Sequence, residues 1–415
     1  MKVALVCDWL TNVGGAEKVL LALHRMYPKA PIYTSQYSPK GIDWFLDADV
    51  RTGWLQIFPA GMRRVLGVFR QRWFSRLDLS EYDLVISVTG AEAKAVRATK
   101  LGAKHISYCH APTQYYWQMY DKYVENPGFS ILNPLVRVCF KALVKPLRRR
   151  DFEAAARVDQ FVTISEYTKG LIAKYYKRDA VVVHPPVDVS VFGAWHSDAI
   201  RCVSGAPRRD NLKIISRRSA PSAAKSKISP LCPSTQRIAS EYNCDYYITT
   251  SRQVNWKRID LAVKACVKLG RPLVVIGEGP EHKKLVKMAE GAFTSDGSPL
   301  VSFLPLLGAE ELAKYLAGAK GYLFPSMEPF GIAPVEALAA GCPVVALAAG
   351  GALDYIVDGV NGVLFSKQTV KSLCEGILKF EKTKFDLEVV SESAEKFGVL
   401  RFEKEMRKVV DEKVG

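Results

Sequence analysis

The sequence predicts an α/β protein built on two doubly wound, parallel β-sheets. Short apolar runs recur through both halves of the chain with helical stretches between them, which is the pattern of parallel sheets. The length of 415 residues is too great for one core and suits two domains of roughly 200 residues. Hydrophobic residues make up 48% of the chain, which excludes global disorder.

Apolar runs typical of buried strands occur in each half of the chain. In the first half the predicted strands are Val3–Cys7, Leu84–Val88, His105–Cys109, Gln160–Ile164 and Ala180–His184. In the second half they are Tyr246–Thr250, Pro272–Ile276, Val301–Leu304, Gly321–Phe324, Pro343–Leu347 and Gly362–Phe365. Ligands of doubly wound sheets bind at the carboxyl ends of the strands, so the residues that follow these runs are the candidate site.

Composition divides the chain into four segments. We expect a Rossmann-like domain at 1–195, a linker at 196–240, a second Rossmann-like domain at 241–395 and a terminal helix at 396–415. The linker carries nine basic residues against two acidic ones and buries too little apolar surface to order itself. The terminal segment shows helical apolar spacing. Its apolar residues are Phe397, Leu400, Phe402, Met406, Val409 and Val410.

Cysteine usage and the amino terminus indicate a cytoplasmic protein. The nine cysteines are scattered singly, without a C-x-x-C pair, which argues for reduced thiols and against a disulfide framework or a zinc site. The first apolar run is only five residues long and ends before Asp8, so it predicts a strand and not a signal peptide. Glycines and a proline interrupt the uncharged stretch from Ala337 to Leu353, so we expect a helix, a turn and a strand there rather than a membrane span.

The net charge of +16 indicates an anionic partner. No helix-turn-helix, zinc-finger or RNA-binding aromatic signature is present in the sequence, so no specific nucleic acid is expected. An anionic membrane surface is the better candidate, because the stretches 54–76 and 136–150 mix basic with apolar residues as interfacial helices do. Basic rims over core-facing helices remain the alternative for each stretch. The basic residues of the first stretch are Arg63, Arg64, Arg70, Arg72 and Arg76.

Two carboxylates, Glu328 and Glu336, mark the most informative stretch. Glu328 follows the predicted strand Gly321–Phe324, and Glu336 falls in the first turn of a helix that Pro334 predicts. Helix amino termini at this edge of a sheet favour phosphate. Two acids beside such an end are suited to accept hydrogen bonds from hydroxyl groups, as on the ribose and the sugar of a nucleotide sugar.

Other polar residues also follow predicted strands. Gly14 and Gly15 open a helix after the first strand, and glycines there let backbone amides approach an anion. His110 follows another strand. Arg252 and Lys257 follow the first strand of the second half, where two cations can clamp a diphosphate at about 1.5–3 kcal/mol per charged hydrogen bond.

Together these features resemble the family 4 retaining glycosyltransferases of the GT-B fold, in particular bacterial enzymes that extend O-antigen, capsule and exopolysaccharide chains. The motifs that carry the resemblance are Gly14-Gly15-Ala16-Glu17, Tyr108-Cys109-His110-Ala111-Pro112, the Glu328/Glu336 pair, Gly341-Cys-Pro-Val-Val345, Gly350-Gly351 and Asp358-Gly-Val-Asn-Gly362. Three features depart from the family pattern: Gln114 replaces a frequent Arg, Ser251 replaces a Gly, and the linker is much longer than usual.

The resemblance implies a role for each matching residue. The catalytic set would be His110, Glu328, Arg252 and Lys257, with His110 beside the reacting sugar carbon. The donor-binding set would be Gly14, Gly15, Arg252, Lys257, Leu304, Glu328, Phe330, Gly331, Ile332 and Glu336. Glu17 would lie on the acceptor side. The two Rossmann-like domains would face a central cleft.

The function that the resemblance implies is transfer of a hexose, with mannose from GDP-mannose favoured, to a lipid-linked glycan in surface polysaccharide biosynthesis. The protein would be peripheral on the inner face of the cell membrane. No cofactor or metal is expected; Asp47-Ala48-Asp49 spells the D-x-D of metal-using glycosyltransferases but lies in a polar connector. Alternatives are a UDP-sugar donor, a phosphorylase or epimerase of the same fold, or an inactive basic module that binds membranes or nucleic acid.

Overall fold

The computed structural model describes residues 1–59, 66–125, 133–195 and 245–414. Both of its sheets are parallel throughout, with helices between most successive strands, so the predicted α/β class with two doubly wound sheets is confirmed. The predicted linker at 196–240 lies outside the described residues. Within the described ranges, no helix has both the length and the apolar character needed to cross a bilayer.

The chain divides into two compact units. The first unit comprises Met1–Val187 together with Phe397–Gly415, and the second comprises Asp188–Lys396. The short helix Val189–Gly193 therefore belongs to the second unit, although the predicted first domain extended to residue 195.

A seven-stranded sheet forms the centre of the first unit. Its strands are β1 (Val3–Cys7), β2 (Ile32–Thr34), β3 (Val50–Arg51), β4 (Leu84–Thr89), β5 (Lys104–Cys109), β6 (Gln160–Thr163) and β7 (Ala180–Val182). Their order across the sheet is β3-β2-β1-β4-β5-β6-β7. The order reverses between β1 and β4, and at such a point the loops after the strands separate and leave a crevice.

The strands β2 and β3 are absent from the sequence-based predictions. They contain three and two residues, which is too short for an apolar run to be recognised. Their pairing depends on neighbours: β2 lies beside β1, and β3 lies at the edge of the sheet beside β2.

Among the described residues of the first unit, five α-helices precede Val187, and a sixth lies near the carboxyl end of the described chain. The five are α1 (Gly15–Met26), α2 (Gly67–Phe74), α3 (Tyr120–Glu125), α4 (Asn133–Ala156) and α5 (Glu166–Tyr176). The terminal helix, Val399–Val414, buries Phe402 and Met406 in this unit, and the Phe402 ring lies 5.8 Å from that of Tyr108. Leu400 is 83% exposed, so its predicted place on the apolar face of this helix is wrong.

A six-stranded sheet forms the centre of the second unit. Its strands are β8 (Tyr247–Thr250), β9 (Leu273–Ile276), β10 (Val301–Leu304), β11 (Gly321–Phe324), β12 (Val344–Leu347) and β13 (Gly362–Phe365). The order is β10-β9-β8-β11-β12-β13, with a reversal between β8 and β11. The α-helices in the described part of this unit are α6 (Val189–Gly193), α7 (Ile259–Leu269), α8 (His282–Ala289), α9 (Ala309–Ala317), α10 (Ile332–Ala339), α11 (Val370–Lys382) and α12 (Leu387–Glu392), and the terminal helix is numbered α13.

The basic and aromatic stretch 54–76 is not a single interfacial helix. Its described part forms a 3-10 turn at Trp54–Ile57 and the helix α2, while residues 60–65 lie outside the described ranges. Arg70 is buried, and its Nε donates to Glu92 Oε2 at 2.8 Å. The interpretation of Arg70 as a membrane contact is therefore wrong, because its charge is neutralised inside the unit.

Candidate active site

The two predicted glutamates of the second unit lie at the carboxyl end of β11. Glu328 occupies the loop between β11 and α10, and Glu336 lies in α10 itself, where it is buried. The helix begins at Ile332, so Pro334 falls within the first turn, where a missing N–H removes no helical hydrogen bond. The loop and the helix start thus form one edge of the crevice between β8 and β11.

The structure brings Glu328 and Lys257 together. Lys257 Nζ donates to Glu328 Oε2 at 2.5 Å, and Ser326 Oγ donates to Oε1 at 2.8 Å. The side chains of Lys257 and Glu328 remain 24% and 16% exposed. An ammonium group has three donors, so Lys257 can bind an incoming anion while it holds the carboxylate in place.

The glycine pair Gly350 and Gly351 contacts the backbone of the Glu328 loop. Gly351 N–H donates to the Glu328 carbonyl at 2.9 Å, and a Cβ on Gly350 would lie 2.4 Å from that oxygen. Gly350 also has a φ of +69°, which glycine adopts without strain. The pair that the sequence motif contains is therefore required by close backbone contact with the loop.

Gly331 fixes the turn into α10. Its φ is +94°, and a Cβ there would lie 2.7 Å from the Phe324 ring. Beside it, the buried Phe330 packs against Tyr355, whose hydroxyl donates to the Phe330 carbonyl at 2.9 Å. Gly331 and Phe330 thus set the direction in which the helix starts, and the predicted donor residue Ile332 is the first residue of that helix.

Arg252 follows β8 and is exposed. Its guanidinium lies 5.8 Å from the centre of the Trp256 ring, which itself is 43% exposed. A cation over an aromatic face is weakly held, by about 0.5–1 kcal/mol at an exposed site. Arg252 therefore carries a charge that is accessible to a ligand near Lys257.

Gln253 is a residue of this site that the sequence analysis did not select. It is fully buried; its Nε2 donates to the Gly277 carbonyl at 2.5 Å, and its Oε1 lies 2.8 Å from His282 Nδ1. Gly277 N–H in turn donates to the carbonyl of Leu304, a predicted donor-binding residue, at 2.9 Å. Gln253 thus ties the loop that carries Arg252 and Lys257 to the loops after β9 and β10, and only its position between two cations hints at this from sequence.

The first unit contains a cavity of about 250 Å³ at the carboxyl ends of β1, β4 and β5. Glu17, Gln114 and His110 line it, together with Asp8 and Tyr115. The predicted pair Gly14 and Gly15 is adjacent to it at the start of α1, where a Cβ on Gly14 would lie 2.8 Å from Glu17 Oε2.

His110, which lines this cavity, has a buried polar atom without a hydrogen-bond partner among the described residues. The residue is half-buried, but its Nε2 is shielded from solvent and has no hydrogen-bond partner within the described residues. Burial lowers the pKa of His110 to about 4, so the ring is neutral at physiological pH. A neutral imidazole can accept or donate one hydrogen bond at Nε2, according to its tautomer.

Asp8 forms part of the cavity wall and also holds the loop after β4. Its Oδ2 accepts hydrogen bonds from the N–H groups of Gly90 and Ala91 at 2.8 and 3.0 Å, and its Oδ1 accepts one from Ala93 N–H at 2.7 Å. These bonds stabilise the carboxylate and fix the loop in place. From the sequence alone, Asp8 marks only the end of the first strand.

Two buried ion pairs lie behind the cavity, and neither was predicted. Arg70 pairs with Glu92, which also accepts a hydrogen bond from the Tyr115 hydroxyl. Lys94 pairs with Asp151 at 2.7 Å. Burial lowers the pKa of Lys94, but the Asp151 carboxylate outweighs burial and raises it above its ordinary value, so Lys94 is charged.

Asp151 also holds the segment that carries His110. Its carboxylate accepts hydrogen bonds from the side chains of Thr113, Trp117 and Tyr176 at 2.7–2.8 Å. Thr113 and Trp117 belong to the same loop as His110 and Gln114. The geometry of the loop after β5 therefore depends on buried residues from three segments: Lys94 after β4, Asp151 in α4 and Tyr176 in α5.

Two family models match the chain. The model for Glycosyltransferase Family 4 matches residues 13–191, and the model for Glycosyl transferases group 1 matches residues 236–397. Together these matches cover parts of both structural units.

Curated relatives match over shorter stretches. A D-inositol 3-phosphate glycosyltransferase of Mycolicibacterium smegmatis is 33% identical over 190 residues, or 44% of this chain and 35% of that protein. A GDP-mannose-dependent alpha-mannosyltransferase of Corynebacterium glutamicum is 38% identical over 111 residues, or 26% of this chain and 25% of that protein. The matches thus span about a third or less of the length of these relatives.

Solved structures match over the whole chain. Anabaena HepE, solved in complex with UDP, aligns with a TM-score of 0.66 at 18% identity and covers 99% of this chain and 100% of HepE. The lipopolysaccharide outer core galactosyltransferase WaaB aligns with a TM-score of 0.63 at 14% identity and 100% coverage of both chains. The chain therefore has the GT-B fold, and its amino-terminal and carboxyl-terminal halves are similar to family 4 and group 1 glycosyltransferases, respectively.

Proposed function

We propose that this protein is a retaining glycosyltransferase that moves a hexose from a nucleoside diphosphate sugar to a hydroxyl of a lipid-linked glycan during surface polysaccharide biosynthesis. Mannose from GDP-mannose is the proposed donor, and the similarity to a GDP-mannose-dependent mannosyltransferase supports it. The observation that carries the proposal is the Lys257–Glu328 pair, with the exposed Arg252 on the same loop after β8 as Lys257. It combines hydroxyl-accepting and diphosphate-binding groups at one sheet edge.

In the proposed reaction the leaving diphosphate gathers negative charge as the bond to the sugar breaks. Arg252 and Lys257 would stabilise that charge, together with the N–H groups at the start of α10. Glu328 would accept hydrogen bonds from sugar hydroxyls, Glu336 from the ribose, and His110 would contact the sugar. The acceptor proton would pass to the leaving phosphate on the same face of the sugar, so no protein nucleophile is required.

A donor panel tests this proposal. Calorimetric titration with GDP-mannose, UDP-glucose, UDP-galactose and UDP-N-acetylglucosamine should show saturable binding, tightest for GDP-mannose, and mass spectrometry should detect transfer to an alkyl glycoside. Tighter binding of, and faster transfer from, a UDP-sugar would show that the donor is a UDP-sugar and not GDP-mannose, while the protein would still be a glycosyltransferase. Failure of every nucleotide sugar to bind would favour a basic binding module without catalytic activity.

Transfer should be unaffected by 5–10 mM EDTA, a standard chelating concentration. We propose that Arg252 and Lys257 supply the charge that a divalent metal supplies in D-x-D enzymes. Asp49 of the D-x-D sequence is bound instead to Arg51 at 2.7 Å. Initial rates measured before and after chelation decide the matter: loss of activity that manganese restores would show that a metal is needed.

We further propose that the first unit contacts anionic membranes through helix α4. Val138 and Leu143 are 66% and 50% exposed on this helix, beside exposed basic residues. The exposed basic residues are Lys141, Lys145, Arg149 and Arg150. Apolar side chains flanked by such charges are typical of interfacial helices, and each cation contributes about 1 kcal/mol near an anionic surface.

Co-sedimentation with phosphatidylglycerol-containing liposomes tests this contact. Changing the four α4 cations to Gln should release most of the bound protein, and binding to wild type should weaken with salt because charges are screened. The matched control changes Lys174, Lys177, Lys404 and Lys408, four exposed cations of the same unit, to Gln. Another variant replaces the nine basic residues of 196–240 by Gln. If the linker substitutions release the protein from liposomes and the α4 substitutions do not, the membrane contact lies in residues 196–240 and not in α4.

A further inference from the structure

The cavity of the first unit has an unusual charge balance. Its lining includes the carboxylates of Asp8 and Glu17, and no lysine or arginine lines it within the part of the chain that the structure describes. His110 adds no positive charge, because burial lowers its pKa to about 4. His110 lines the cavity, and its Nε2 is shielded from solvent without a hydrogen-bond partner among the described residues.

The nearest buried cations are not available to a ligand. Arg70 Nε lies 2.8 Å from Glu92 Oε2, and Lys94 Nζ lies 2.7 Å from Asp151 Oδ1. Each of these pairs is neutral as a whole. The helix α1 also opens toward this region, but Glu17 lies in its first turn and already takes the favourable position for an anion.

We propose that this cavity binds an uncharged, hydroxyl-rich acceptor sugar and rejects a phosphorylated one. The inference rests on the transferase function proposed above and specifies its acceptor class. Carboxylates and a neutral imidazole accept hydrogen bonds from hydroxyls, and the Trp9 and Tyr115 side chains supply aromatic surface for a sugar ring. A phosphate in the same place would meet two like charges in a partly desolvated cavity, which is how binding sites exclude a competing ligand.

This assignment separates the protein from relatives whose acceptor carries a phosphate. The relatives named D-inositol 3-phosphate glycosyltransferases carry a phosphorylated inositol in their name. They match this chain over less than half of its length. In this chain Gln114, four residues after His110, occupies a position that is frequently Arg in the resembled family; Gln114 is neutral and lines the cavity. The loss of that cation agrees with an uncharged acceptor.

Matched acceptors test the proposal. The probes are octyl α-D-mannopyranoside and octyl α-D-glucopyranoside, each paired with its 6-phosphate, and the readouts are calorimetric binding and kcat/KM for transfer. The neutral member of a pair should bind and react at least about tenfold better, which corresponds to about 1.4 kcal/mol. Glu17→Gln should narrow that ratio by severalfold, whereas Glu153→Gln, on the surface of α4, should leave it unchanged.

The ratio within a pair is insensitive to a uniform loss of activity in Glu17→Gln. Equal or better binding of the phosphorylated probes would overturn the proposal, and so would failure of both members of every pair to bind. The binding arm needs no donor. A failed donor titration would therefore count against the transferase function, while the glycoside titrations would still report the charge preference of the cavity.

Discussion

Lys257→Ala and Arg252→Ala are each expected to lower kcat/KM for transfer at least tenfold. Truncation removes a charged hydrogen bond to the diphosphate, worth about 1.5–3 kcal/mol, in a crevice of reduced dielectric constant. The loss should be greater for Lys257→Ala, because that change also leaves Glu328 without its 2.5 Å ion-pair partner. Initial rates with saturating and limiting donor give the split between kcat and KM.

A double-mutant cycle separates the two roles of Lys257. If Lys257 mainly orients Glu328, the double variant Lys257→Ala/Glu328→Gln should be little worse than Glu328→Gln alone. Lys264→Ala, an exposed cation on α7, is the matched control and should stay within twofold of wild type. Activity within twofold of wild type in both Arg252→Ala and Lys257→Ala would remove these residues from the proposed site.

Asp151→Ala should lower the free energy of unfolding of the first unit by about 3–5 kcal/mol, since removing one partner strands the other charge in the interior. Lys94 and Asp151 are each 1% exposed. The side chains of Thr113, Trp117 and Tyr176 also lose their hydrogen bonds to Asp151 in this variant. Urea unfolding followed by tryptophan fluorescence measures the change, because Trp117 donates to Asp151 directly.

Two further variants serve as controls for the expected loss of stability in Asp151→Ala. Glu153→Ala removes an exposed partner of Arg149 on the same helix and should cost less than about 1 kcal/mol. Lys94→Met/Asp151→Leu removes both buried charges and should recover part of the loss, but not all, because Trp117 and Tyr176 lose their Asp151 acceptor, whereas Thr113 keeps the Ala91 carbonyl. A loss below about 1 kcal/mol in Asp151→Ala would mean that the pair is more hydrated than its burial indicates.

The sequence was sufficient for the fold class and for the long strands, because parallel strands such as β4 and β12 are continuous apolar runs bounded by turns. It was insufficient for β2 and β3, whose few residues carry no periodic signal. Arg70 shows a different limit: a basic residue among aromatics has the same composition at a membrane surface and beside a buried carboxylate. Only the position of Glu92, 22 residues away, distinguishes the two.

The candidate site shows the same division. Residues that follow strands, such as Glu328 and Lys257, could be predicted as site residues from the sequence, because the carboxyl ends of parallel strands all lie at one edge of a sheet. Their direct pairing was not, since 71 positions separate them. Gln253 and Asp151 act through partners that are distant in sequence, so their roles follow from tertiary contacts that no local pattern encodes.

The division of the first unit between the two ends of the chain affects how the protein is made. Val187 N–H donates to the Phe397 carbonyl at 2.9 Å, and the buried Phe402 and Met406 of α13 complete the same unit. A ribosome that adds about 5–20 residues per second reaches Phe397 roughly 10–40 s after Val187. During that interval the surface that α13 covers, including Tyr108, lacks its partner. The second unit can finish folding first, and the nascent first unit exposes this apolar surface until α13 has been synthesised.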